Sequence, residues 1–297
     1  MRFPTDDRRT PSRLRELAKA GLRRYAVTTA SFRPMPDFLI IGAKRAATTS
    51  LWNYVIHHPN AMPMFPARQK IKGTGFLSIN YHKGESWYRS HFPTEVARSL
   101  KARRDGVRPC TGEATPYYLF HPLAPSRAKL LIPHARLILI LRNPVDRAYS
   151  HYRERVRNGA ERLPFEDALD AEEERLAGEE ELIQSNGRYS SYAHEHCSYV
   201  RQGCYVDSLQ RWYSCFEPTQ FLILLNEDFD RDAGSELRRV WGFLGLPPWD
   251  PPEMKRFNYH RGEPMPPATR DRLLRTFEPF NRRLEQLLSL DLSAWGT

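Results

Sequence analysis

Cysteine is scarce in this chain, with 4 among 297 residues, and Cys110, Cys197, Cys204 and Cys215 nowhere take C-x-x-C spacing. That excludes zinc-ribbon and thioredoxin-like chemistry. It suits buried thiols in a reducing compartment, with a disulfide among Cys197, Cys204 and Cys215 left open. Long hydrophobic runs are also missing. No stretch approaches the ~20 apolar residues of a membrane span, and the first residues lack the apolar core of a signal peptide. The expectation is a cytoplasmic protein without an integral membrane segment. Blocks of Lys/Arg interleaved with aromatics are absent too, which argues against a nucleic-acid partner. His194-Glu195-His196-Cys197 offers metal-ligating types. Alternating residues on one helix point to different faces, however, and no fourth partner is suitably spaced, so no metal is expected.

What the chain has in excess is positive charge. Lys and Arg total 45 against 35 Asp and Glu, a formal net charge of +10. Such a field favours anionic ligands: nucleotides, acidic glycans or lipid headgroups. The first residues are polar and charged, as disordered segments are. The segment 12–25, with Leu14, Leu17, Leu22 and several Arg, predicts a basic amphipathic helix. It packs on the domain edge or touches anionic lipid, so peripheral membrane contact stays open. Residues 1–36 are therefore set apart as a basic extension from a domain over 37–297.

The most informative stretch runs from Asp37 to Leu51. Phe38 to Ile41 reads as a buried strand, Gly42 permits its sharp exit, and Ala46 to Ser50 are small. Leu51, Trp52, Val55 and Ile56 recur at helical spacing, so a helix begins near Thr48. A strand, a small-residue loop and a helix N-terminus together cradle an anion, to which Lys44 and Arg45 add full charges. A nucleoside-triphosphate loop requires G-x-x-x-x-G-K-[ST]. Aligned on Gly42, its second Gly is Ala47 and its Lys is Thr48. The lysine that grips a triphosphate is missing, which disfavours a P-loop kinase.

Further along, Leu137 to Leu141 is an unbroken aliphatic run, suited to a central parallel strand. It ends in Arg142-Asn143-Pro144, and a helix follows through Val145, Ala148 and Tyr149. Arg142 at the strand's end and Ser150 two turns later can both reach a ligand at the sheet edge. Arg147, Arg153 and Arg155 read as solvated helix face. The acidic segments 165–176 and 179–184 read as solvent-facing helices. Residues 203–213 form an amphipathic helix, 220–225 another fully buried strand, 235–244 a helix, and 268–288 a last helix. Strands separated by helices predict a single α/β domain, its central parallel sheet flanked by helices.

Four stretches in order resemble the sulfotransferase superfamily, especially the branch of heparan-sulfate sulfotransferases and their bacterial relatives. They are Ile41 to Leu51; Asn80 to Gly84 with Trp87-Tyr88; Leu141 to Ser150; and Gly203-Cys204-Tyr205 with Trp212, the strand to Leu225 and Arg261-Gly262. The resemblance implies a P-loop-like fold and the donor 3'-phosphoadenosine 5'-phosphosulfate, without metal. Lys44, Arg45, Ala46, Ala47, Thr48, Thr49 and Ser50 would face the 5'-phosphosulfate, and Arg142 and Ser150 the 3'-phosphate. Tyr205, Arg261 and Gly262 would complete the donor site. Arg45 and Lys72 would neutralise the transferring group. The acceptor would be a glycan or another small molecule.

Two departures stand out. Ala47 replaces the loop glycine, and Gly73 replaces the glutamate that in this branch follows Lys72 as catalytic base. Glu113 is the expected substitute, with His57, His58 and His82 behind it. The missing glutamate also leaves open a nucleotide-binding protein that has lost catalysis.

Overall fold

The computed structural model describes residues 13–252 and 263–296. Five strands form one parallel sheet in the order β2-β3-β1-β4-β5. They are β1 (Phe38–Gly42), β2 (Ala61–Met62), β3 (Cys110–Ala114), β4 (Arg136–Leu141) and β5 (Phe221–Leu225). Parallel strands need crossover connections, and helices supply them. α1 (Arg13–Thr28) precedes β1, and the connections start with α2 (Thr48–His57), α3 (Glu85–Arg89), α4 (Glu95–Asp105), α5 (Ala124–Leu131) and α6 (Pro144–Arg157). A run of short helices follows α6: α7 (Phe165–Asp170), α8 (Glu172–Leu176), α9 (Glu179–Ser185) and α10 (Tyr192–His196). Then come α11 (Tyr205–Tyr213), α12 (Asn226–Arg231), α13 (Ala233–Leu244) and α14 (Pro267–Leu288). The chain is thus a single α/β domain with a central parallel sheet flanked by helices.

The aliphatic runs make the centre of this sheet because helices cover it on both faces. Leu39, Ile40, Ile41 and all of Leu137 to Leu141 are 0% exposed. Leu51, Trp52 and Val55 of α2 and Val206, Leu209 and Trp212 of α11 belong to the same core. β1 lies between β3 and β4, so the strand order reverses around it. Open α/β sheets bind ligands at the carboxyl ends of strands where the order reverses. Here those ends lead into the β1–α2 and β4–α6 turns.

Three sequence expectations change. β5 is an edge strand, and only Leu224 among its five residues is fully buried. β3, Cys-Thr-Gly-Glu-Ala, carries no aliphatic run and does not read as a strand, yet every residue in it is buried. Arg147, read as solvated, is 0% exposed. Ahead of β1, Arg23 donates to the Ser90 hydroxyl at 3.0 Å, and buried Arg33 donates to the Phe92 carbonyl at 2.5 Å. These contacts tie the basic extension to the domain. Residues 1–11, expected to be disordered, lie outside the described residues. All four cysteines are free thiols.

Gly112 sets how closely β3 approaches β1. A Cβ there would lie 2.4 Å from the Phe38 carbonyl oxygen and 2.6 Å from its ring. Gly112→Ala therefore destabilises the protein by roughly 2–3 kcal/mol. Gly242→Ala, in α13 with nothing within 4 Å, stabilises it by about 0.5–1 kcal/mol through helix propensity. Chemical denaturation of the two variants measures both signs.

Candidate active site

The loop after β1 is bent by two non-glycine residues in the left-handed region, Arg45 (φ 70°) and Ala47 (φ 57°). Ala47 is the N-cap of α2, and no side chain caps that helix. The amides of its first turn and the positive end of its dipole face the loop. Lys72 joins them from a separate segment. Its Nζ donates to Thr48 Oγ1 at 3.1 Å and to Thr49 Oγ1 at 2.9 Å. Among the described residues, no carboxylate forms an ion pair with it. Desolvation, reinforced by the nearby Arg45 charge, pulls its pKa down to about 8. A desolvated ammonium held by hydroxyls alone beside a helix N-terminus is a cradle for an anion.

A second cluster adjoins the first. Arg45 Nε donates to Ser150 Oγ of α6 at 3.1 Å, and Arg142 Nη1 donates to the Arg45 carbonyl at 3.2 Å. The turn that carries Arg142 is held from two sides. Tyr205 donates its hydroxyl to the Arg142 carbonyl at 2.9 Å, and the Asn143 amide donates to Glu227 at 2.9 Å. Asn143 Oδ1 accepts the Val145 amide and so starts α6. Desolvation lowers the Arg45 pKa as well. The sequence-predicted Arg45, Thr48, Thr49, Lys72, Arg142 and Ser150 thus meet along two neighbouring turns.

Other predicted residues stand elsewhere. Lys44 turns away, toward α10, where its Nζ donates to the Glu195 carbonyl at 3.0 Å and lies 3.3 Å from His196 Nδ1. Burial lowers its pKa to about 8. Ala46 is 0% exposed in the core, and its amide is bonded to the Ala43 carbonyl. Ser50 is buried in the first turn of α2. Tyr205 is 1% exposed and spends its hydroxyl on Arg142, so it positions that turn. Arg261 and Gly262 lie outside the described residues.

Glu113 is corrected from base to buried anchor. It is 0% exposed, and five donors converge on its carboxylate. Oε2 accepts the Thr74 amide at 2.6 Å, the Thr74 hydroxyl at 2.7 Å and the Thr115 hydroxyl at 3.1 Å. Oε1 accepts the Tyr88 hydroxyl at 2.8 Å and the Tyr118 hydroxyl at 2.9 Å. A general base must reach the proton that it takes, and this carboxylate is sealed from any acceptor. Gly73 offers no alternative, because a Cβ there would lie 2.4 Å from the Ala114 carbonyl oxygen and from Thr115 Oγ1. Of the histidines, His58 is 2% exposed and bonded through both ring nitrogens, to the Pro247 carbonyl and the Asn60 amide. His57 closes the far end of α2. His82 is exposed in a turn after Asn80. Phe76, Tyr88 and Phe92 are core packing: Phe76 stacks on Tyr88 at 4.3 Å, and Phe92 is buried against Tyr88.

Sequence reading did not foresee the cage around Glu113, because Thr74 and Tyr88 lie 39 and 25 residues before it. Replacing the carboxylate turns one of its acceptors into an amide that opposes those donors. Glu113→Gln is expected to lose about 3 kcal/mol of stability. The measurement is a denaturant titration. A Glu113 that acted as base would leave the midpoint unmoved and remove only turnover.

A model of the sulfotransferase domain family matches residues 35–282. The human bifunctional heparan sulfate N-deacetylase/N-sulfotransferase 3 is 29% identical over 233 residues, 77% of this chain and 24% of that protein. The mouse heparan sulfate glucosamine 3-O-sulfotransferase 3B1 is 28% identical over 221 residues, 73% of this chain and 48% of that protein. The chain therefore spans less than half the length of either relative. The crystal structure of a sulfotransferase from Alicyclobacillus acidocaldarius superposes with a TM-score of 0.63 at 32% identity. That alignment covers 89% of this chain and 100% of the other.

Proposed function

Because the chain belongs to the sulfotransferase domain family, we propose that it transfers a sulfuryl group from 3'-phosphoadenosine 5'-phosphosulfate to a hydroxyl or amine of an acceptor. The observation that carries this reading is the pair of adjoining cationic clusters, Lys72 on Thr48 and Thr49, and Arg142 with Arg45 and Ser150. One donor molecule with phosphoryl groups at both its 5' and 3' ends calls for two such sites. Thr48, Thr49, Lys72 and the amides opening α2 hold the 5'-phosphosulfate. Arg142 and Ser150 hold the 3'-phosphate, and Arg45, bonded to Ser150, is reassigned from the transferring group to this end. The relatives named for heparan sulfate support a carbohydrate acceptor.

The acceptor oxygen or nitrogen attacks sulfur in line, and the bond from sulfur to the bridging oxygen breaks. Adenosine 3',5'-bisphosphate leaves. Sulfuryl transfer, like phosphoryl transfer, passes through a loose transition state that needs positioning and charge stabilisation above all. Lys72 donates to the bridging oxygen as charge grows on it. The acceptor's proton leaves to solvent along Gly73, which is exposed. The absence of a carboxylate there favours one second reading, a protein that binds donor without transferring. Release of bisphosphate from the donor, screened with candidate acceptors, separates the two.

Calorimetric titration with adenosine 3',5'-bisphosphate tests the donor. Wild type is expected to bind, Arg142→Ala to bind at least tenfold more weakly, and ATP not to substitute. Failure of the bisphosphate to bind folded protein defeats the reading.

Binding is also proton-linked. A bound dianion raises the Lys72 pKa from its free value of about 8, so the complex holds more protons than the free protein. Affinity falls as pH rises through 8. Titration at pH 8 in buffers of different ionisation enthalpy shows proton uptake, and uptake vanishes near pH 6, where Lys72 is already charged.

A further inference from the structure

The positive charge of the chain is unevenly placed. The acidic segments α8 and α9, read from sequence as solvent-facing, wall a cleft of about 820 Å³ whose far side is α14. That volume suits a small molecule. Glu172, Glu173, Glu180 and Glu181 line it, opposed by Arg201 and Arg272. Two of the carboxylates have partners. Glu172 accepts the Val200 and Arg201 amides at 2.7 and 2.8 Å, and Glu180 Oε1 takes Arg211 at 2.6 Å. Glu173 and Glu181 are exposed and form no ion pair among the described residues.

The floor of the cleft carries an independent sign of a ligand. His194 is 2% exposed, its ring stacked on Phe120 at 4.2 Å and its Nδ1 bonded to the Tyr117 hydroxyl at 2.8 Å. Its Nε2 has no hydrogen-bond partner among the described residues. Buried polar atoms in folded proteins are nearly always satisfied, and an orphan calls for a partner. Glu180 Oε2 stands 4.0 Å away, beyond hydrogen-bond reach. The Tyr117 contact allows either tautomer; with Nδ1–H donating to Tyr117, Nε2 is an acceptor, and two acceptors then face each other across that gap. One ammonium nitrogen about 2.8 Å from each bridges them. Leu169, Leu176, Val200 and Leu273 supply apolar wall between the charges.

We propose that this cleft binds an alkylammonium ligand, a polyamine or a molecule that carries one. Its first ammonium bridges Glu180 and His194 Nε2, its methylene chain lies on the aliphatic wall, and further ammonium groups meet Glu173 and Glu181. The cleft is tied to the phosphate loop, because the residue after His194 gives its carbonyl to Lys44. An amine-bearing acceptor is therefore the ligand that best suits it. That last step rests on the transfer reading above, while the binding itself does not.

Spermidine is the probe, titrated calorimetrically into the whole protein. Wild type is expected to bind one equivalent. Glu180→Gln should weaken binding at least tenfold and Glu181→Gln about threefold. The exposed Glu217→Gln, away from the cleft, should stay within twofold of wild type. His194→Gln is informative if folded, and the surface change at Glu181 keeps the test decisive if it is not. No binding to folded wild type overturns the proposal. Equal weakening by the Glu180 and Glu217 changes overturns it as well, since it would mark diffuse attraction to acidic surface. Spermidine binding without bisphosphate binding would sink the transfer reading and leave the cleft standing.

Discussion

A buried carboxylate with five donors holds the candidate site together. Taking Glu113 out of water costs several kcal/mol, and only a full set of hydrogen bonds offsets that. The donors come from three places: Thr74 on the segment after Lys72, Tyr88 on α3, and Thr115 and Tyr118 just beyond β3. The Ala114 amide, bonded to the Lys72 carbonyl at 2.8 Å, closes the same junction from the backbone. Lys72 reaches Thr48 and Thr49 because this junction fixes the chain that carries it. The residue that seemed suited to proton transfer instead builds the platform on which a cation is displayed.

How much of this was legible follows from how local each signal is. β1, β4, α2 and α6 are written in contiguous patterns, an aliphatic run and then a helical period, and both cationic turns sit between such elements. β3 was not legible, because its burial comes from neighbours that cover a strand of small and polar residues. β5 carries the same aliphatic run as a central strand, and only the sheet order shows that it stands at an edge. Side-chain direction was the weakest signal. Lys44 and Arg45 are adjacent in sequence, yet one points to α10 and the other to α6. Arg147 looked like helix surface until α6 was seen to pack along the segment that includes Tyr199, whose carbonyl takes its guanidinium.

The excess of basic residues says less than their arrangement. Several cations are placed where water is thin and carboxylates are few, so their charge is strong locally and discriminating. Elsewhere Arg side chains are neutralised one by one, as Arg98 is by Asp37 at 2.7 Å and Arg175 by Glu161 at 2.7 Å. The acidic helices after α6 gather carboxylates along one cleft.

The left-handed backbone at Ala47 bears on the thermodynamics of recognition. An alanine with φ near 57° sits about 1–2 kcal/mol above its relaxed state, and packing around the loop maintains it. The chain is thus already in a conformation that it would not choose alone, and the conformational entropy was surrendered during folding. An anion arriving there has little disorder left to quench. Its association should carry a small entropic penalty, with a backbone nearly superposable before and after.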